Sequence, residues 1–113
     1  MPDHQLPKPV KRALKQIIGE GYENALAQEL AALSGEFEQW KTGKIGAFDL
    51  EERIHEFHDG TARRLYSEFS TRGVTLTYLA AYAVHAGFYD AARVPADVFP
   101  YIQTALKLLR EES

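Results

Sequence analysis

Two histidines three residues apart, His55 and His58, stand in the stretch RIHEFHDGTARR, close to Glu51, Glu52, Glu56 and Asp59. Imidazole and carboxylate are ligand types that zinc, iron or nickel accept. On a helix turning about 100° per residue, Glu51, His55 and His58 fall about 100°, 140° and 80° from Leu50, so one carboxylate and two imidazoles share a strip of surface. With His85 as a further donor, Glu51, His55, His58 and His85 are the candidate ligands of a divalent metal, in a metal-dependent enzyme or a metal sensor. The spacing departs from the known arrangements. A zinc-protease helix needs His-Glu-x-x-His, with its histidines four apart. A di-iron bundle needs two Glu-x-x-His motifs on different helices, and only Glu52 to His55 is present. The doublet His58-Asp59 would need ligands from other helices, where only His4, His85, Asp90 and Asp97 remain. The plainer alternative leaves His55 solvated beside Glu51 or Asp59. His58 then borders the core, and His85 is a core or interface histidine with one nitrogen satisfied.

Other chemistry is excluded more directly. The chain has no cysteine, which removes thiolate metal sites, thiol nucleophiles and disulfides. TGKI resembles the tail of a phosphate loop, but Glu38 stands where the first glycine is needed and no strand precedes it. GEGYEN lacks the third glycine of a dinucleotide turn, and Ser34, Ser67, Ser70 and Ser113 have no elbow motif around them. No catalytic residue and no organic cofactor site is predicted.

The elements that must position these residues are helical. Val10, Leu14, Ile18, Tyr22, Leu26, Leu30, Leu33, Phe37 and Trp40 recur every three or four residues. That period predicts one amphipathic helix over 9–41, following a Pro-containing arm over 1–8. Gly19 and Gly21 lie inside it, so a kink there is the alternative. KTGKIGAF ends the helix. Asp49 is the expected cap of the next, with Glu52 completing a capping box and Leu50, Ile54 and Phe57 forming its buried stripe. Asp59 and Gly60 predict a bend before Ala62, Leu65, Tyr66 and Phe69 resume the pattern, and STRGVT closes the element. Thr75 caps a helix that is apolar nearly all round and therefore central, with Gly87 as its C′ residue. A last helix over 98–111 buries Ile102, Ala105, Leu106 and Leu109. The fold class is all-α, a compact bundle of four to six helices with a long N-terminal helix, as one domain over 1–113.

Aromatic residues concentrate in the middle third, and Phe37, Trp40, Phe48, Phe57, Tyr66 and Phe69 are expected to form the main core where the first helix folds back on the second. Trp40 and Tyr66 are also candidate anchors for a partner. Arg63 and Arg64 are candidate clamps, pairing with Glu68 or with a carboxylate on the first helix. Lys8, Lys11, Arg12 and Lys15 share one face at the start of the first helix, which a solvated surface explains by default. A contact with phosphate or an acidic partner is the alternative, and nucleic acid is not the expected partner at a net charge of −3. A helix longer than its domain is wide needs a neighbour along it, and a second copy of the chain is the simplest one, so a homodimer is expected.

Residues 36–66 carry a recognisable pattern: Phe37, Trp40, Gly43, Ile45, Leu50, Ile54, His55, Phe57, His58, Gly60, Arg64, Leu65 and Tyr66. Read as Trp-x-x-Gly-x-Ile, Ile-His-x-Phe-His-x-Gly and Arg-x-Leu-Tyr, it resembles short uncharacterised bacterial proteins to which no activity is attached. The resemblance implies a bacterial, cytosolic helical domain and carries no catalytic residue over.

With 113 residues, 45% hydrophobic and 26% charged, the chain suits one soluble globular domain. The first twenty residues match neither a signal peptide nor a membrane span. A reducing cytoplasm fits the absence of cysteine. The expected function is a non-catalytic protein-interaction or regulatory module, with the metal site as its rival.

Overall fold

The computed structural model describes residues 1–70 and 73–112; Thr71 and Arg72, within the expected STRGVT turn, and Ser113 lie outside the described residues. All regular structure among the described residues is helical. A 3₁₀ turn over Asp3–Gln5 precedes α1 (Lys8–Lys41). Then come α2 (Ala47–Glu56), a π-helical segment (Phe57–Ala62) and α3 (Arg63–Glu68), which follow one another without a break. Next are α4 (Leu76–His85), a 3₁₀ turn over Ala91–Arg93 and α5 (Phe99–Glu112). No helix among the described residues is long and apolar enough to cross a membrane.

The expected long first helix is present and runs unbroken through Gly19 and Gly21. The chain divides into two compact units, Met1–Asn24 with Phe69–Ser113, and Ala25–Glu68.

In the first unit the apolar stripe Val10, Leu14, Ile17 and Ile18 of α1 is buried, as are Leu76, Leu79, Ala80, Ala81 and Ala83 of α4 and Ile102, Leu106 and Leu109 of α5. Half of the ten residues of α4 are therefore buried, in keeping with its all-round apolar sequence. Gly21 shows how closely it packs: a Cβ built there would stand 2.8 Å from the Cβ of Ala83. Beside that contact lies an aromatic cluster centred on Phe69, which stacks on Tyr22 at 5.2 Å and meets Tyr82 at 5.6 Å and Phe88 at 6.1 Å between ring centroids. Asn24 Nδ2 donates to the Phe88 carbonyl at 2.8 Å.

The ends of α4 are built as its sequence implies. Thr75 Oγ1 accepts from the Tyr78 N–H at 3.2 Å, satisfying one of the donors that a helix start leaves without a partner. A second such donor, the Leu76 N–H, is taken by Asp3 Oδ1 at 3.0 Å. At the other end Gly87 has φ +84°, and the Phe88 N–H to Ala83 carbonyl and Gly87 N–H to Val84 carbonyl bonds complete a Schellman motif.

The main core is not where the aromatic residues of the middle third were expected to place it. Of those six, Phe69 alone is buried, while Trp40, Phe48 and Tyr66 are exposed and Phe37 and Phe57 are half-buried. Composition marks residues able to fill a core, whereas burial depends on which face each one occupies. Phe48 lies about 160° round the helix from the buried Leu50 and so points away from it.

Candidate functional site

The candidate metal ligands and partner anchors, except His85, belong to the second unit, a helical hairpin. α1 ends at Lys41, and Gly43 just beyond it has a φ of +82° that suits a residue without a Cβ. The Lys44 N–H donates to the Gln39 carbonyl at 2.8 Å and the Gly43 N–H to that of Trp40 at 3.1 Å, a second Schellman motif that turns the chain. α2 then starts three residues earlier than its sequence suggested. Gly46 is the N-cap, and Asp49 sits in the first turn, where its Oδ2 accepts from the Gly46 N–H at 3.0 Å. Asp49 suits either place, because a carboxylate is favourable both as a cap and at the third helical position.

The stretch Asp59-Gly60 does not break the helix; it lies within a π-helical turn. At about 100° per residue Ala62 would sit about 120° from Leu50, and the extra residue of a π turn brings it back to about 20°. Ala62 is accordingly half-buried and Leu65 buried. The apolar face thus stays continuous across a sequence whose spacing alone would have broken it.

Four ion pairs hold the hairpin's helices in register or brace its second helix. Arg53 Nη1 pairs with Glu36 Oε2 of α1. Arg64 meets Glu29 of α1 at 3.7 Å and Glu68 one turn on at 3.6 Å, so both partners expected for the arginine pair are engaged by one residue. Arg63 faces Asp59 at 4.0 Å. The Arg63 and Arg64 side chains are more than half exposed, so each such pair contributes about 0–1 kcal/mol.

Of the candidate metal ligands, the structure brings Glu51 and His55 together, with Nε2 and Oε1 3.7 Å apart on an exposed flank. His58 is exposed in the π turn, where it had been expected to border the core. His85 ends α4 in the other unit and is exposed, where a core or interface position was the alternative to ligation. Among the described residues no group of three or more His, Cys, Asp or Glu side chains is placed to hold a metal ion.

The apolar surface is the more informative feature. Between Ala25 and Glu68 the buried apolar side chains are Ala25, Leu50 and Leu65 alone. Exposed in the same segment are Leu30 (47%), Trp40 (43%), Phe48 (88%), Ile54 (38%) and Tyr66 (69%). Ile54 was expected in the buried stripe and lies at its open edge instead. A small groove of about 130 Å³ between Leu33, Ala32 and Phe57, rimmed by Glu29 and Glu36, adds a concave element.

One feature was missed in the sequence. Glu36, Asp49, Glu52 and Glu56, with Arg53, line an open cleft of about 390 Å³. The signal was there, since Asp49, Glu52 and Glu56 follow the three-and-four spacing of one helix face. No protein-family model, no curated protein and no solved structure matches the chain.

Proposed function

We propose that this chain is a cytosolic, non-catalytic protein-interaction or regulatory module that acts as a homodimer, joined through the hairpin Ala25–Glu68. The observation that carries the proposal is the disproportion within that hairpin. Three buried apolar residues support it, while Leu30, Trp40, Phe48, Ile54 and Tyr66 remain exposed. Burying one such side chain contributes about 1.5–3 kcal/mol, and aromatic residues dominate the centres of interfaces. A second copy supplies the same surface and satisfies it by symmetry.

Sedimentation velocity over micromolar to submillimolar protein tests this. A concentration-dependent dimer is expected, shifted to monomer by Leu30→Ser with Trp40→Ser; a monomer at every concentration overturns the proposal.

The rival, a metal-dependent enzyme or metal sensor at Glu51, His55 and His58, is favoured by the approach of His55 to Glu51. Elemental analysis of the purified protein and a thermal shift with zinc, nickel, manganese or iron test it. A bound stoichiometric metal lost in His55→Ala supports it, and no stabilisation by any of the four removes it.

A further inference from the structure

Two charged surfaces of the chain each set like charges beside one another, with opposite sign on the two. Lys8, Lys11, Arg12 and Lys15 line a shallow groove of about 250 Å³ at the start of α1. Among the described residues none of the four has a carboxylate within ion-pair distance, whereas Arg53, Arg63, Arg64 and Arg93 all do. The four are neighbours at three- and four-residue spacings, so like charges face one another along the helix, where each such pair is destabilising. They also crowd the positive end of the helix macrodipole, with no acidic residue in the first turn to offset it.

The cleft of the hairpin is the converse. Glu36, Asp49, Glu52 and Glu56 gather around a single cation, Arg53, whose partner is Glu36. Asp49 and Glu52 are three apart, Glu52 and Glu56 four apart, and both spacings set carboxylate beside carboxylate. Surfaces that repel themselves in the free chain gain most from a partner of opposite charge.

We infer that the basic groove of one copy docks into the acidic cleft of a second copy, and that this charge contact sets the pairing of the homodimer. The inference rests on the homodimer proposed above and adds to its apolar hairpin contact a polar one. The spacing fits: each surface presents exposed charges one helical turn apart, Lys8 with Arg12 and Glu52 with Glu56. Both surfaces lie on one chain, so two copies can make the contact twice, each supplying one groove and one cleft. Exposed complementary charges of this kind act mainly on specificity and association rate, and they weaken with salt.

The test is a charge swap. At the paired positions Lys8→Glu with Arg12→Glu puts carboxylates on both surfaces of one variant, and Glu52→Lys with Glu56→Lys puts cationic groups on both surfaces of the other. Each alone is expected to raise the dimer dissociation constant about tenfold, taking each exposed pair as about two- to fivefold. An equimolar mixture of the two is expected to regain affinity towards that of the wild type, because at the substituted positions every groove then meets a cleft of opposite sign. Raising sodium chloride weakens the wild type and the mixture alike. The four side chains are exposed, so each variant is expected to fold, which a circular dichroism melt checks. The neutral pair Lys8→Gln with Arg12→Gln is the second test, expected to weaken the dimer less than the reversal does.

A dimer indifferent to salt and to both variants overturns the charge contact and leaves the hairpin dimer standing, whereas a monomer throughout overturns both. A fluorescent DNA or RNA oligonucleotide that dissociates the dimer by occupying the groove also overturns it, by making nucleic acid the partner.

Discussion

Replacing Gly21 by alanine should destabilise the protein although the same change at Gly19 stabilises it. Both glycines lie in the interior of α1, where alanine is favoured by about 1 kcal/mol through backbone entropy. That shared term cancels in the comparison. A Cβ at Gly19 meets nothing within 4 Å, while one at Gly21 falls 2.8 Å from the Cβ of Ala83. Carbon atoms pack best at about 3.5–4.0 Å, so the overlap approaches 1 Å. Neither methyl can rotate away, since each is fixed to its helix backbone, and relief requires α1 and α4 to move apart. Overpacking of this kind costs about 1–3 kcal/mol. The two variants should therefore differ by roughly that amount, or about 4–12 °C in Tm for a chain of this size. Thermal and urea unfolding followed by circular dichroism measures it. A double-mutant cycle isolates the cause: Ala83→Gly should cost less in the Gly21→Ala background than in the wild type, with a coupling of about 1 kcal/mol or more. Equal melting temperatures for Gly19→Ala and Gly21→Ala, or a coupling near zero, would refute the close-packing argument.

Phe69→Ala should cost about 3–5 kcal/mol in urea unfolding, because the ring is buried and contacts Tyr22, Tyr82 and Phe88 at once. Gly87→Ala should cost about 1–2 kcal/mol through its positive φ, whereas Gly60→Ala, in a helical turn with open space at its Cβ, should be neutral or stabilising by up to about 1 kcal/mol; thermal melts of the two distinguish a continuous helix at Gly60 from a bend.

How much of this could be read beforehand varied with the range of the interaction responsible. The stripe Val10, Leu14, Ile18, the cap at Thr75 and the terminator at Gly87 follow from local periodicity and from backbone groups a few residues away. Gly21 could not be interpreted locally, since its role is fixed by Ala83, far along the chain. The π turn escaped notice because Asp59-Gly60 is the composition of a helix end, and only the burial of Leu65 reveals that the helix continues. The aromatic cluster was misplaced because side-chain type does not say which face is covered. For the candidate site, spacing and charge offered Glu68 or a first-helix carboxylate as partner for one of Arg63 and Arg64 without saying which, and the adjacency of Glu51 and His55 followed from the helical wheel. The positions of His58 and His85 depended on packing that the wheel does not contain.

One of the two compact units is a single stretch of chain, Ala25–Glu68, while the other is assembled from the two stretches that flank it. That asymmetry bears on the order of folding. Closing a flexible loop the length of Ala25–Glu68 costs about 3 kcal/mol beyond a constant, and this must be met before Tyr22 can stack on Phe69 or Asp3 can reach the Leu76 N–H. The hairpin needs only its turn at Gly43 and the Glu36–Arg53 pair to begin, then the Glu29–Arg64 pair to extend, so contacts between successively more distant residues become cheap in sequence. A hairpin formed early shortens the effective loop and lowers the barrier for the rest, as low contact order does generally. On loop entropy alone, the same segment that leaves its apolar side chains open in the finished molecule is thus the one expected to form first, with that surface exposed from the start.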